Sequence, residues 1–277
     1  MYGRTYHTKV LKQSEPPKKK RRRFSWKRFW WGVGIVAFIG GIVCLIRWPR
    51  LQVDRIEVVG TEVADPEDVS LFIKSRIEGS YLYFFPRSSM LLVPTASLSK
   101  WTARNFPRFS SVEVRRLGVR GLLVTVTEHK GAYLWCEHEA SPCFFMTENG
   151  VVFAPAPFFS GDAYVRFFAG TRAEMPFMPL TEPQLALGRV LLERLPSIGI
   201  TPSVLRWVSE HETEVVFSHY GSDATLLLDP ANNIDETLED LATGLATDPL
   251  KTKFLSKTNV LEYLDVRFAN KVVYKFR

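Results

Sequence analysis

Residues 51–77 read LQVDRIEVVGTEVADPEDVSLFIKSRI, and the pattern changes period halfway. Before Gly60 the apolar members Val53, Ile56 and Val58 nearly alternate with polar residues, as in a strand with one buried face. After it, Asp65 stands as an N-cap, Pro66 takes the first helical position, and Glu67 and Asp68 fill the first turn. Val69, Phe72, Ile73 and Ile77 then share one helical face. A strand hands over to a helix across a short turn. Downstream, TASLSKWTARNFP (95–107) predicts a shorter helix capped by Thr95, with Leu98, Trp101 and Phe106 at helical spacing and Pro107 as its stop. FSSVEVRRLG and GLLVTVTEH alternate with period two around a turn near Gly118–Gly121, an antiparallel hairpin. The order is β-α-α-β-β.

Upstream lies an uncharged run, Phe29 to Ile46, that spans roughly 27 Å as a helix, enough for a bilayer core. Trp26, Trp30, Trp31 and Trp48 cluster at its ends, as indoles do at membrane interfaces. The run continues into Arg47, Trp48, Pro49 and Arg50 rather than into the small residues of a cleavage site, so an uncleaved span over 29–47 is expected. Basic residues crowd before it, including KKKRRR at 18–23, which predicts a cytoplasmic N-terminus. Residues 1–28 carry about +10 of charge and few aliphatic residues, the composition of a disordered tail. The formal charge of the whole chain is +7, so the part beyond the span is mildly acidic and gives no reason to expect nucleic acid.

The second half is richer in strands. CFFMTENGVVFAPAP carries an Asn149-Gly150 hairpin turn. TEPQLALGRVLLERLPSIGI predicts a helix with Leu185, Val190, Leu191 and Leu195 on its apolar side, packed on a sheet from VLRWVSEH, TEVVFSHYG and ATLLLD. DETLEDLATGLATDP adds a helix lined by Leu238, Leu241 and Leu245, and LEYLDVRFANKVVYKF ends the chain in strands. The fold class expected is α+β: a transmembrane helix, an α/β unit over 51–129, and an antiparallel β-domain with flanking helices over 130–277.

Cys136 and Cys143 flank EHEASP. In an oxidising compartment the expectation is a disulfide at the base of a hairpin; the alternative is two reduced thiols on adjacent strands, since zinc would need further ligands and only His138 is near. Cys44 lies within the apolar run. Catalytic motifs are scarce. SLSK (97–100) matches S-x-x-K without its partner motifs, and His129, His138, His211 and His219 are scattered over separate strands and loops. No catalytic residue, metal site or cofactor is assigned.

The order β-α-α-β-β directly outside a single N-terminal span resembles the POTRA domain of the bacterial cell-division proteins FtsQ and DivIB. IEVVGTEVADPEDV resembles the family's strand, Val-Gly-Asn-like turn and helix, with Thr61 where Asn is more usual. The GVVF strand after Asn149-Gly150 and the near-terminal Tyr263, Asp265, Arg267, Phe268 pattern are similar to the family's later motifs, so the resemblance covers essentially the whole chain. It implies a non-enzymatic divisome scaffold in the plasma (inner) membrane at the septum. The partners it implies are FtsB and FtsL, and through them FtsW and the septal transpeptidase. It places FtsB as an added strand on a C-terminal sheet edge formed by Arg267, Phe268, Asn270, Lys271, Val272, Tyr274 and Phe276. Alternation would put Phe268, Asn270, Val272, Tyr274 and Phe276 on one face, leaving Arg267 and Lys271 for acidic residues of the partner. A second, weaker contact is implied at a POTRA edge, QVDRIEVV or SSVEVRR. The competing class is a membrane-anchored envelope or cell-wall enzyme whose site does not show in the sequence.

Overall fold

The computed structural model describes Gly3 and residues 26–81, 85–159 and 161–277, with the side chains of Lys27 and Arg28 excepted. The tail expected over residues 1–28 therefore lies almost wholly outside the described residues. Helix α1 (Trp26–Ile46) begins three residues before Phe29, and its window Phe29–Ile46 is long and apolar enough to cross a membrane. A single 3-10 turn, Pro49–Leu51, follows, and the chain then pairs at once with a later segment. The Val53 amide donates to the Ser88 carbonyl at 2.8 Å and the Met90 amide to Leu51 at 2.7 Å.

The first α/β unit contains β1 (Arg55–Val59), α2 (Pro66–Ile77), the two-residue strands β2 (Ser80–Tyr81) and β3 (Phe85–Pro86), α3 (Thr95–Asn105), β4 (Phe109–Leu117) and β5 (Gly121–Glu128). Its three-stranded sheet has the order β1-β5-β4, with β1 parallel and β4 antiparallel to β5. Asp65 caps α2 by accepting from the Glu67 amide at 2.8 Å. Val69, Ile73 and Ile77 of α2 and Leu98 of α3 pack on Leu122, Val124 and Val126 of β5. Two details differ from the expected α3. Pro94 occupies the cap position and Thr95 is the first helical residue, while Thr102, not Trp101, takes the buried side; Trp101 is exposed. Val53 precedes β1 and joins the same core from the linker.

The turn after β1 is braced from below. Gly60 has φ +90, and a Cβ there would lie 2.1 Å from the Val126 carbonyl oxygen, so only glycine lets the chain turn this close to β5. One carboxylate oxygen of Glu128 then accepts from the amides of Glu62, Val63 and Ala64 at 2.8, 3.1 and 3.0 Å. Burial works against the charged form of Glu128, yet these bonds and Arg108 outweigh it and hold its pKa below 4.5.

The second unit is built on one nine-stranded sheet that is mixed, not antiparallel as expected: three of its eight neighbouring pairs run parallel, because chain returns through helices and loops bring strands back in the same direction. Its strands are β6 (Tyr133–Cys136), β7 (Cys143–Met146), β8 (Val152–Pro155), β9 (Arg166–Phe168), β10 (Pro202–Ser209), β11 (Glu212–His219), β12 (Ser222–Leu228), β13 (Leu261–Asp265) and β14 (Val273–Phe276). Their spatial order is β14-β13-β12-β11-β10-β9-β6-β7-β8, so β8 and β14 form the two edges. Helices α4 (Glu182–Arg194) and α5 (Ile234–Ala246) cover one face, with Leu185 and Leu191 of α4 and Leu238 and Leu241 of α5 in a core with Trp135, Leu205 and Leu226. A short helix, α6 (Leu250–Phe254), follows α5. On the opposite face a smaller cluster, Leu134, Cys136, Phe168 and Val204, lies beneath Phe159 and Tyr164.

Cys136 and Cys143 oppose each other across the β6–β7 pair and are joined by a disulfide with a Cα separation of 4.3 Å. Where the first unit meets the second, the His129 amide donates to the Arg108 carbonyl at 2.8 Å. The His129 ring lies over Phe153 of β8 at 5.2 Å and the Arg108 guanidinium over the same ring at 5.7 Å.

Candidate functional site: the open edge of the large sheet

Among the described residues strand β14 pairs with β13 alone, in the antiparallel register Tyr263↔Lys275, Leu264↔Tyr274, Asp265↔Val273. The Arg277 amide donates inward to the Val260 carbonyl at 2.8 Å. In an antiparallel ladder the donors alternate, so Lys275 and Val273 also point toward β13. The N–H and C=O groups of Tyr274 and Phe276 therefore face outward along an unpaired edge.

The side chains are set by the pleat. Val272, Tyr274 and Phe276 turn inward onto the large core, with the Tyr274 and Phe276 rings edge-on at 5.8 Å. Lys275 turns to the other face and pairs with Glu262 at 2.9 Å, which raises the Lys275 pKa and lowers that of Glu262. Beside this edge a groove of about 390 Å³ runs between the C-terminal half of α5 and the chain entering β14, lined by Thr243, Gly244, Thr247, Val272 and Tyr274 among others. Gly244 makes the close approach possible: a Cβ there would lie 2.8 Å from a methyl group of Val272. Lys253 reaches over the Tyr274 ring at 5.7 Å.

The seven expected edge residues do not share one strand. Only Tyr274 and Phe276 lie in β14; Val272 precedes it, and Arg267, Phe268, Asn270 and Lys271 belong to the loop between β13 and β14. Asn270 breaks the continuous alternation by adopting φ +57, and its amide donates to Asp240 of α5 at 2.9 Å. Phe268 is exposed, off the face shared by Tyr274 and Phe276.

Arg267 has partners within the chain. Its guanidinium donates to both oxygens of Asp265, at 3.0 and 2.8 Å, and to Glu212 at 3.0 Å. It is therefore engaged inside the molecule rather than held out to a partner. Burial of Asp265 raises its pKa, but the bonds from Arg267 prevail and the net shift is downward from 3.8. Asp265 and Arg267 anchor the hairpin from which β14 departs. Lys271 has no ion pair among the described residues and lines the groove.

The remaining polar candidates stay apart. His129 is held by Phe153, and its burial lowers its pKa; His211 lies 3.4 Å from Asp229; the His219 ring nitrogen Nε2 hydrogen-bonds the Phe254 carbonyl at 2.9 Å; His138 sits in the disulfide loop. Ser97 and Lys100 both belong to α3. Among the described residues no three His, Cys, Asp or Glu side chains gather as a metal site would require. No protein-family model matches the chain, and no curated protein matches it.

Proposed function

We propose that this chain is a non-enzymatic division scaffold of the FtsQ/DivIB type, a single-pass membrane protein with its N-terminus in the cytoplasm and both α/β units outside. In this reading the first unit is a POTRA domain, and the second captures FtsB, with FtsL, and so recruits FtsW and its transpeptidase to the septum. Support comes from the apolar helix, the basic residues before it, and the stretches of sequence that resemble that family's motifs. The observation that carries the proposal is the unpaired β14 edge beside the α5 groove.

The energetics require both parts. Tyr274 and Phe276 offer two outward donors and two acceptors, each bond netting about 0.5–1.5 kcal/mol. Micromolar affinity needs about 8 kcal/mol. Strand addition supplies register, and the rest must come from side-chain contacts in the groove, whose lining is mixed: Asp240, Asp248 and Lys271 beside Val272 and Tyr274.

The test uses the full-length chain with FtsB and FtsL from the same organism. Hydrogen exchange at the amides of Tyr274 and Phe276 should slow on complex formation, whereas Val273 and Lys275 are protected in both states. Tyr274→Pro, which removes one outward donor, should weaken capture roughly 3- to 10-fold in a variant that keeps its melting transition. Unchanged capture together with unchanged exchange would reject the edge as the docking site.

A further inference from the structure

The end of the first unit that faces α1 is built unlike its other end. The linker leaves α1 at Ile46, whose side chain is buried, and α1 contacts β3 directly. Leu51, Gln52 and Val53 are fastened to Ser88–Met90 by backbone bonds. The β2–β3 hairpin is therefore held within a few residues of the point where the apolar helix ends.

A second loop is brought to the same end by register. Because β1 and β5 run parallel with Arg55 opposite Gly121, the start of β1 and the β4–β5 turn lie together, and the Asp54 amide donates to the Arg120 carbonyl at 3.0 Å. Strand β3 with the residues after it and the β4–β5 turn, distant in sequence, are thus both tied to the segment that leaves the helix.

Their exposed side chains are aromatic, aliphatic and cationic. Trp48 is 50% exposed, Tyr81 43% and Val119 63%, with Leu117 exposed beside them. Arg87 lies over the Tyr81 ring at 4.7 Å, and Arg116 donates to the Val93 carbonyl at 3.3 Å. Arg47, Arg50, Arg87 and Arg116 have no carboxylate partner among the described residues; Asp54 and Glu113 are taken by Arg120 and Arg115, and Glu78 lies at the base of the hairpin. Aromatic rings with arginines are the composition that settles at the headgroup layer, where a ring is half-buried and a guanidinium meets phosphate.

We propose that this end of the first unit is a second membrane contact, in which Trp48, Tyr81 and Val119 enter the interfacial layer and Arg50, Arg87 and Arg116 meet anionic phospholipid headgroups. The contact fixes the tilt of the unit on the bilayer. It rests on α1 spanning that bilayer.

The experiment uses the full chain with Cys44→Ser, the disulfide intact, and one spin-labelled cysteine at a time in nanodiscs of phosphatidylcholine and phosphatidylglycerol. Labels replace Ser80 and Val119 at the proposed contact, Val63 at the far end of β1, and Val36 within α1. Accessibility to oxygen relative to a water-soluble nickel chelate should be several-fold higher at 80 and 119 than at 63, and should drop when phosphatidylglycerol is left out. Labels at 80 and 119 as aqueous as that at 63, with 36 still buried, would overturn the contact while leaving the span intact. An aqueous label at 36 would overturn both. Labels aqueous in nanodiscs but protected in native membranes would assign this end to a protein partner and overturn the proposal.

Discussion

The two edges of the nine-stranded sheet are treated in opposite ways. At β8, Val152 exchanges backbone bonds with Phe177 at 2.8 and 3.2 Å, Pro155 has no amide to offer, and Arg108 and His129 of the first unit grip Phe153. At β14 no described segment pairs with the outer side, and a groove lies open beside it. Uncovered edges invite strand addition, and soluble domains ordinarily blunt them. A chain that closes one edge by several devices and leaves its other edge open shows where pairing with another chain is tolerated.

This contrast can be attacked from either side. Removing the disulfide near the closed edge by Cys136→Ser with Cys143→Ser should cost roughly 2–3 kcal/mol by the chain-entropy argument, read by denaturant melting, without changing the proposed strand capture at β14. Phe177→Ala should cost about 2 kcal/mol, since the ring also meets Trp135 edge-on at 5.1 Å, and should add concentration-dependent self-association through the uncovered β8. A monomeric Phe177→Ala protein would mean that the backbone bonds to Val152 keep the edge covered without the ring.

On the open side, Arg267→Met strands Asp265 and should cost about 1–2 kcal/mol, with capture weakened because the hairpin loosens. The same variant tests a pH dependence. Since the folded pKa of Asp265 is depressed below 3.8, its stabilisation is fully present above the unfolded value and is lost as pH falls through the folded one. Acid titration of Arg267→Met should show a smaller loss of stability below pH 3.8 than the parent chain. The smallest effect is expected from Lys275→Ala. Its pair with Glu262 is surface-exposed, so melting should not change measurably, and a large drop would show that β14 needs that pair to stay docked.

What could be read in the sequence was mostly local. The α2 cap, the β4–β5 hairpin and the Asn149-Gly150 turn rest on neighbouring residues, and the structure places each of those elements there. Strand β9, three residues long, carries too little pattern to announce itself, yet it sits between β6 and β10 and joins the two halves of the sheet. Such order depends on non-local pairing. At the candidate site, alternation from Phe268 to Phe276 suggested one strand because valine and aromatic residues keep a period of two through the turn. The contrary signal was Asn270, a residue that tolerates the left-handed region and so marks a hairpin. The engagement of Arg267 was not visible because Glu212 is distant in sequence.

The grip of Arg108 and His129 on Phe153 has a mechanical consequence. The first unit is fastened to β8, and β14 is the ninth strand counted from there. At about 4.8 Å per strand the intervening sheet reaches about 40 Å, less some shortening by twist. The sheet is thus a lever arm with its fulcrum at Phe153. A rotation of about 5° at that joint would sweep β14 through about 3 Å, comparable to the spacing that separates a formed strand pair from a broken one. Stiffness at a phenylalanine on the closed edge therefore bears on where the open edge stands relative to the first unit.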